Sequence, residues 1–218
     1  MALPPDPTLD ELREALAPLV ADNAAFDGWN PAAVDAAADA LGVDRGIARL
    51  AFPKGAADMI DAWFASVDTA MLARFTSEQL ASMKIRERIT ALVEARLAIV
   101  AHNREALRRA VAILAMPQNL AHATKLGWRS ADAMWRAAGD TATDYNHYTK
   151  RGILGSVYAA TITVFLNDES EGWADTRAFL GRRIEGIMRF EKAKAKWTGS
   201  EHRLSLSRFI GRLRYPAV

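Results

Sequence analysis

The residues that could perform acid–base or nucleophilic chemistry are few and poorly grouped. Helical di-iron sites need Glu-x-x-His pairs from two helices, and the nearest pattern here is a single Asp144-x-x-His147. Ser200, Glu201 and His202 are adjacent, so their side chains do not face one another as a triad would require. The chain has no cysteine and no glycine-rich phosphate loop, which excludes thiolate chemistry and cysteine-ligated metals. We therefore predict a protein that is not an enzyme and has no metal or cofactor.

A more informative group of side chains lies between residues 134 and 151. Positions 144, 147, 148 and 151 share one helical face by their i, i+3, i+4, i+7 spacing. Aromatic rings combined with arginine are typical of partner-binding hot spots. The alternative is that the rings pack at the rim of the core and Arg151 pairs with Asp140 or Asp144. The candidate partner-binding residues are Met134, Trp135, Asp144, His147, Tyr148 and Arg151.

The residues that follow this group carry no charge from position 152 to position 166. As a helix, this segment is about 22 Å long. That is too short for a membrane span and typical of a buried core helix. We expect the helix to be surrounded on most sides by apolar groups, either as plain core or as the wall of an apolar cavity.

The C-terminal segment combines an apolar face with many basic residues. Residues 182–218 contain ten Lys or Arg against three Glu, and residues 200–214 place their apolar side chains on one helical face. This pattern is typical of an amphipathic helix that attaches reversibly to an anionic membrane. The alternative is that this face packs on the protein's own body or on a second subunit. The candidate membrane-binding residues are Trp197, Arg203, Leu206, Phe209, Ile210 and Leu213.

Hydrophobic periodicity positions these groups on an all-α fold of about ten helices, because no stretch alternates with the period of a strand. The predicted helices cover residues 8–21, 31–41, 44–51, a segment after residue 55, 84–102, 104–115, 118–138, 145–166, 172–196 and 200–214. We divide the chain into an N-terminal unit (1–64), a larger helical part (65–198) for ligand binding and dimerisation, and an amphipathic C-terminal helix (199–218). The first residues lack a basic and apolar leader, which predicts a cytoplasmic protein. The amphipathic C-terminal helix predicts that this protein associates peripherally with a membrane.

The first three predicted helices have the layout of a helix-turn-helix. The spacing Ala38-x-x-Leu41-Gly42-Val43, followed by Phe52-Pro53, resembles the N-terminal domain of TetR-type repressors. The resemblance implies a second, larger helical domain with an apolar ligand cavity. However, residues 1–64 hold eleven acidic and four basic residues, a net charge of −7. Phosphate contacts supply most of the affinity for DNA, so we expect no nucleic-acid binding.

Two later motifs resemble a more specific family. These are Gly139-Asp140-x-x-Thr143-Asp144-x-Asn146-x-Tyr148-Thr149-x-Arg151 and Asn167-Asp168-x-Ser170-x-Gly172-x-x-Asp175-Thr176-x-x-Phe179-Leu180-x-x-Arg183. Together they resemble the ubiquinone (coenzyme Q) biosynthesis accessory protein family, a lipid-binding relative of TetR repressors. The resemblance implies ten helices, a homodimer, an apolar cavity for isoprenoid lipids and a last amphipathic helix that touches the membrane.

This resemblance also implies roles for particular residues. Trp135, Asp144, Tyr148 and Arg151 match the family's surface for demethoxyubiquinone hydroxylase, and His147 stands where the family pattern implies tryptophan. For the cavity that holds an isoprenoid quinone or a phospholipid, the expected lining is Leu97, Leu114, Trp128, Leu154, Val157, Tyr158, Thr161 and Phe165. Candidates for the dimer contact are Trp173, Leu180, Ile184 and Ile187.

We therefore expect a non-enzymatic accessory protein that binds isoprenoid quinone intermediates and presents them to the hydroxylase. Two alternatives belong to other classes of protein. One is a TetR-type transcriptional repressor that senses an apolar effector, and the other is a small helical enzyme.

Overall fold

A computed structural model describes residues 4–141, 143 and 145–199 of the chain. Within these ranges the regular structure is helical and no strand occurs. Three short 3₁₀ turns accompany the α-helices. The α-helices are α1 Leu9–Asp27, α2 Pro31–Leu41, α3 Arg45–Leu50, α4 Ala56–Leu72, α5 Ser77–Ser82, α6 Ile85–Val100, α7 Arg104–Leu114, α8 Leu120–Ala137, α9 Tyr145–Phe165 and α10 Ala174–Gly199.

The all-α fold class is thus confirmed, and most predicted helices begin and end within a few residues of the observed ones. The short helix α5 was not predicted. It begins with a capping box in which Thr76 accepts from the backbone of Gln79 and Gln79 accepts from the backbone of Thr76. Helix α1 continues to Asp27, well beyond the predicted end, because Ala24 extends its buried face by another turn. The helix predicted over residues 200–214 lies outside the described residues.

The N-terminal unit has the helix-turn-helix geometry that its sequence indicates. The side chain of Asn30 caps α2, and Pro31 occupies its first position. Gly42 then ends α2 in a left-handed conformation with φ of 67°, which glycine adopts without a steric penalty. Asp44 starts α3 by accepting a hydrogen bond from Ile47 N at 3.0 Å. The turn between α2 and α3 is therefore set by local sequence alone.

The N-terminal unit is joined to the larger helical part by continuous packing. Helix α4 runs through residue 64, where the two parts were predicted to divide. The buried Trp29 donates a hydrogen bond from Nε1 to the carbonyl oxygen of Ala106 in α7, at 3.0 Å. Trp29 and Trp63 also stack with their ring centroids 5.3 Å apart. The division at residue 64 stays a prediction, but one hydrophobic core extends across it.

Helix α9 packs between α8 and α10 and has two different faces. Its buried face includes Leu154, Tyr158, Ile162 and Phe165. Its other face is exposed in the chain and consists of small uncharged side chains, at Gly152, Ser156, Ala160 and Thr163. The expectation that apolar groups surround this helix on most sides is therefore wrong for the single chain. A segment without charges need not be buried, because glycine, alanine, serine and threonine can all face water.

Helix α10 uses part of its predicted dimer contact inside its own chain. Leu180 and Ile184 are buried among the core residues. Trp173 packs edge-on against Phe165, with the ring centroids 5.2 Å apart. These three side chains are therefore engaged by α9 and the core, and they are not available to a second subunit in this conformation.

The turn between α9 and α10 is organised around the buried carboxylate of Asp168. One oxygen accepts from the backbone and hydroxyl of Ser170 at 2.8 and 2.5 Å, and the other accepts from the backbone and hydroxyl of Thr176 at 2.8 and 2.6 Å. These hydrogen bonds hold the pKa of Asp168 far below its ordinary value. The second family-like motif is therefore a structural motif, because its Asp, Ser and Thr residues form this turn.

We predict that Asp168→Asn lowers the melting temperature by several degrees, because an amide nitrogen replaces one of the two accepting oxygens. A group with a depressed pKa stabilises the fold above its unfolded pKa of about 3.9 and stops doing so as the pH falls toward the folded value. The difference from wild type should therefore be largest near neutral pH and shrink below about pH 4. Thermal unfolding at several pH values measures this. The exposed neighbour substitution Glu169→Gln is the control, and equal melting temperatures for all three proteins would contradict the prediction.

Candidate functional site

The candidate site is built on the close packing of α9 against α8. A Cβ atom placed on Gly155 would lie 3.5 Å from the carbonyl oxygen of Gly127 and 4.0 Å from the Cβ of Ala131. A Cβ atom at Gly155 would thus be in ordinary van der Waals contact with α8, so the two helices pack closely at this position. At its N-terminal end, α9 is tied to α8 by ion pairs. Helix α9 is thus held against α8 along its length, with pockets on both sides.

The first of these, which we call the α8–α9 pocket, lies between α7, α8 and α9 with one side chain from α4. Its volume is about 280 Å³. All of its lining residues are uncharged, and aliphatic and aromatic groups dominate. They are Phe64, Val111, Leu114, Ala115, Leu120, Ala123, Leu126, Gly127, Ser130, Gly155, Tyr158, Ala159, Ile162 and Thr163. A pocket with this lining suits a ligand that is largely apolar.

The second pocket, which we call the α6–α10 hollow, lies on the other side of α9, between α6, α8, α9 and α10. Its volume is about 360 Å³. Isoleucine residues from three helices line its apolar part, but Arg86, Asp140 and Lys150 also line it. These charges make the hollow a poorer environment for a hydrocarbon than the α8–α9 pocket, because charged groups stay hydrated or paired.

The residues predicted to line one lipid cavity are distributed over several places. Leu114 and Tyr158 line the α8–α9 pocket, and Leu154 lines the α6–α10 hollow. Leu97, Thr161 and Phe165 are buried in the core and line neither pocket, while Val157 is half-buried and packs against the core. The prediction for Leu97, Thr161 and Phe165 is wrong in this conformation, because helical periodicity identifies a buried face without telling core from cavity.

Sequence reasoning missed most of the residues that do line the α8–α9 pocket. Gly127 and Gly155 were the available signals, since glycine inside a helix often marks a close backbone approach. Ala123 and Ala159 leave room beside this approach because their side chains are small. A pair of small residues on each of two neighbouring helices could therefore have indicated where the pocket forms.

Trp128 belongs to an exposed cluster of rings rather than to a pocket. We define the aromatic patch as Trp128, His147 and Tyr148. The ring centroids of Trp128 and Tyr148 are 5.9 Å apart, and those of His147 and Tyr148 are 5.1 Å apart. Tyr148 is 62% exposed. Trp128 was expected to contact lipid, but in the structure its ring packs against His147 and Tyr148. Both of these were predicted to bind a partner.

The other predicted partner-binding residues have different positions. Met134 is fully buried and Arg151 is only 2% exposed, so neither offers surface to a partner. Trp135 is half-buried, donates from Nε1 to the carbonyl oxygen of Lys150 at 3.0 Å, and has the Lys150 ammonium 5.3 Å from its ring centroid. Asp144 lies outside the described residues. The prediction of a surface role is therefore wrong for Met134 and Arg151, because both face α8 or the core.

Arg151 instead joins the start of α9 to α8 and to the segment that follows α8. Its Nε donates to Asp132 at 2.5 Å and its Nη1 donates to Asp140 at 3.0 Å. Lys150 also donates to Asp140, at 2.7 Å. Burial by itself would raise the pKa of Asp140, but the hydrogen bonds from Lys150 and Arg151 outweigh it and lower that pKa. The pairing of Arg151 with Asp140, one of the two alternatives from the sequence, is confirmed.

The third helix, which reads DNA in repressors of this layout, has its arginines paired within the protein. Arg45 donates to both oxygens of Asp39, at 2.8 and 2.6 Å. Arg49 donates to both oxygens of Asp35 and lowers the pKa of that carboxyl. Ile47, between these arginines, and Leu50, which follows Arg49, are exposed. Both guanidinium groups of α3 are thus engaged by α2 carboxylates rather than presented to a phosphate backbone.

Two further features bear on the site. Among the described residues, no group of three or more His, Asp or Glu side chains is arranged to hold a metal ion. In the same part of the chain, no helix combines the length and the apolar character needed to cross a membrane. The predicted membrane-binding residues Arg203, Leu206, Phe209, Ile210 and Leu213 lie outside the described residues, and the side chain of Trp197 does too.

Comparison with known proteins identifies similar chains. Residues 120–191, which include α8 and α9, match the sequence model of the COQ9 family. The chain is 30% identical over 168 residues to the human ubiquinone biosynthesis protein COQ9, mitochondrial, a match that covers 74% of this chain and 52% of the human protein. It is 40% identical over 96 residues to the rat protein of the same name, covering 44% of this chain and 31% of the rat protein. The chain thus spans about half the length of the human relative and less of the rat one.

A solved structure supports the fold independently. The crystal structure of the TetR transcriptional regulator from Nitrosomonas europaea superposes with a TM-score of 0.63 and 25% sequence identity, covering 80% of this chain and 96% of that chain. The TetR-like fold is therefore confirmed. This similarity concerns the fold, since the paired arginines of α3 differ from what a DNA-reading helix presents.

We predict that Arg151→Ala lowers the free energy of unfolding by about 1–3 kcal/mol, because it removes one of the two cationic donors to the Asp140 carboxylate and leaves only Lys150. Arg136→Ala is the matched control. Arg136 pairs with the same Asp132 at 2.7 Å but its side chain is 73% exposed, so its loss should cost less than about 1 kcal/mol. Urea unfolding of the three proteins measures both values. Equal effects of the two substitutions would contradict the structural role of Arg151.

Proposed function

Because the chain belongs to the COQ9 family and has a TetR-like fold, we propose that it is a non-enzymatic lipid-binding accessory protein of ubiquinone biosynthesis. In this proposal it binds isoprenoid quinone intermediates and presents them to demethoxyubiquinone hydroxylase. The observation that carries the proposal is the α8–α9 pocket, whose lining is uncharged throughout. The described residues that could perform catalysis remain scattered, which supports a binding role.

The size of the pocket limits how much of a lipid it encloses. Its volume of about 280 Å³ lies just below the range of about 300–1,000 Å³ that is typical of ligand pockets. A long isoprenoid lipid therefore has only one part inside the pocket. The remainder leaves past Leu120, a lining residue that is 54% exposed, and near Met116, which is also exposed. Each methylene removed from water contributes about 0.8 kcal/mol, so this apolar mouth favours a lipid over a soluble ligand.

The aromatic patch supports the second half of the proposal. Tyr148 is exposed and its ring is oriented by Trp128 and His147, so little conformational entropy is lost when a partner covers it. The patch and the pocket share α8 and α9. A bound lipid and a docked hydroxylase would therefore contact the same pair of helices.

The proposal also includes membrane attachment and a homodimer. The basic, amphipathic segment 199–218 would bring the mouth of the pocket to a lipid bilayer. The exposed face of α9, with Gly152, Ser156, Ala160 and Thr163, is small and uncharged and would allow a close helix–helix contact between two subunits. The relatives are named as mitochondrial proteins, and the cytoplasmic location expected from the sequence stays a prediction.

We predict that Ala159→Phe prevents lipid from binding in the pocket. Ala159 is an exposed lining residue, and a phenyl ring there would occupy the space beside Gly155. Ala121→Phe is the matched control, since Ala121 is exposed on α8 but does not line the pocket. Native mass spectrometry of each protein after incubation with a short-chain ubiquinone measures the occupancy. The expected result is a loss of bound quinone for Ala159→Phe alone. Equal occupancy of the two variants would rule out this pocket as the lipid site.

We also predict that Tyr148→Ala weakens binding to demethoxyubiquinone hydroxylase by about 30-fold, the effect of losing a hot-spot ring worth about 2 kcal/mol. Tyr148→Phe keeps the stacked ring and should lose much less. Because Tyr148 is exposed, both variants should retain the melting temperature and the quinone occupancy of wild type. Surface plasmon resonance with immobilised hydroxylase measures the affinities. Unchanged binding of Tyr148→Ala would show that the patch does not dock this partner.

A further inference from the structure

The inner wall of the α8–α9 pocket differs in chemistry from the rest of its lining. Ser130 and Tyr158 form this wall, and both are nearly inaccessible to solvent. The hydroxyl of Ser130 donates to Asp68 at 3.4 Å, a long and weak hydrogen bond. The hydroxyl of Tyr158 has no hydrogen-bond partner among the described residues. Two hydroxyl groups with spare hydrogen-bonding capacity thus border an otherwise apolar space.

A buried arginine lies directly behind this wall. Arg96 in α6 is 0% exposed, and its Nη1 donates to the carboxylate of Asp68. Its guanidinium carbon lies 5.0 Å from the centroid of the Tyr158 ring. The Nε and Nη2 groups of Arg96 have no hydrogen-bond partner among the described residues. Buried donors without partners are rare in native proteins and need an explanation. The Ser130 hydroxyl and the Tyr158 ring contact this cluster, and both residues line the pocket, so a ligand in the pocket would lie beside it.

The cluster behind the wall is balanced in charge. Arg96 is paired with Asp68, and Arg129, which lies 3.4 Å from Asp68, donates to Asp61 at 2.6 Å. Two guanidinium groups therefore face two carboxylates. An anionic phosphate would be repelled by Asp68 as much as it is attracted by Arg96, whereas a neutral oxygen acceptor requires no further charge. The guanidinium of Arg96 packs on the Tyr158 ring and helps to fix its orientation.

The volume of the pocket agrees with a single ring. An apolar protein cavity of about 150 Å³ is large enough to bind benzene. The pocket, at about 280 Å³, can therefore hold a six-membered ring with oxygen substituents and the first part of an attached chain.

We propose that the inner wall binds the oxygen-substituted ring of an isoprenoid quinone or of its phenolic precursor, so that the lipid enters ring first. A ring oxygen accepts hydrogen bonds from Tyr158 Oη and Ser130 Oγ. Arg96 is a positioning residue that holds Asp68 and the ring of Tyr158. The isoprenoid tail then leaves through the apolar mouth beside Leu120. This inference rests on the proposed lipid-binding function, and it adds which end of the lipid the pocket recognises.

The test compares two probes that share a tail, a short-chain ubiquinone and the corresponding isoprenoid hydrocarbon without a ring. The variant Ser130→Ala/Tyr158→Phe removes both hydroxyl groups and keeps the shape of the pocket. Thr124→Val is the control, because Thr124 is exposed on α8, does not line the pocket, and its hydroxyl donates to Leu120 O within the helix. Equilibrium dialysis with the whole chain measures the affinities. We expect the double variant to bind the quinone about 10-fold more weakly, with the hydrocarbon unchanged, and Thr124→Val to leave both affinities unchanged.

Several outcomes would overturn the inference in distinguishable ways. If the double variant loses both probes equally, or neither, the wall does not recognise a ring oxygen, although lipid binding itself would stand. If phosphatidylcholine from vesicles displaces the quinone and its binding also depends on the two hydroxyls, the wall recognises a phosphate instead. If wild type binds neither the quinone nor the hydrocarbon, the proposed lipid-binding function fails together with the inference.

Discussion

The contact between α8 and α9 is the constraint on which the candidate site depends. Gly155 packs close to the backbone of Gly127, and Arg151 joins the start of α9 to Asp132 and Asp140. A buried ion pair of this kind is costly when one partner is missing, so it specifies one arrangement of the two helices. The α8–α9 pocket and the aromatic patch are both products of this arrangement. Their relative position is therefore as rigid as the packing of the two helices.

A chain of ion pairs connects the wall of the pocket with the N-terminal unit. It runs from Arg96 through Asp68, Arg129 and Asp61 to Arg13. Arg13 in turn donates to the carbonyl oxygens of Ala51 and Asp58, both at 2.9 Å. This series of ion pairs thus stabilises the TetR-like arrangement, in which α4 links the ligand-binding part to the helix-turn-helix. The same unit neutralises the arginines of α3 with acids from α2. The chain thus has the fold of a TetR regulator, while both arginines of α3 are paired with carboxylates of α2.

The sequence was most informative where local interactions decide the structure. The caps at Thr8, Asn30 and Asp44 and the left-handed Gly42 define helix ends through contacts within a few residues, and the predicted helices follow them closely. The family resemblance is also confirmed, because motifs are properties of the sequence. The short helix α5 escaped prediction because six residues give too little periodicity to detect. For Arg151 the sequence left two roles open, partner binding or an ion pair within the chain, because its partners are far from it along the chain.

The sequence by itself therefore determined the all-α class, the order of the helices and the family that the chain resembles. Only the tertiary structure decided which apolar residues line a pocket and which fill the core. Leu97 and Leu114 illustrate this, since both occupy buried faces of amphipathic helices but only Leu114 borders the α8–α9 pocket. Periodicity reports which face of a helix avoids water, whereas a cavity depends on how closely neighbouring helices approach. That distance is set by small residues and buried ion pairs brought together from separate parts of the chain.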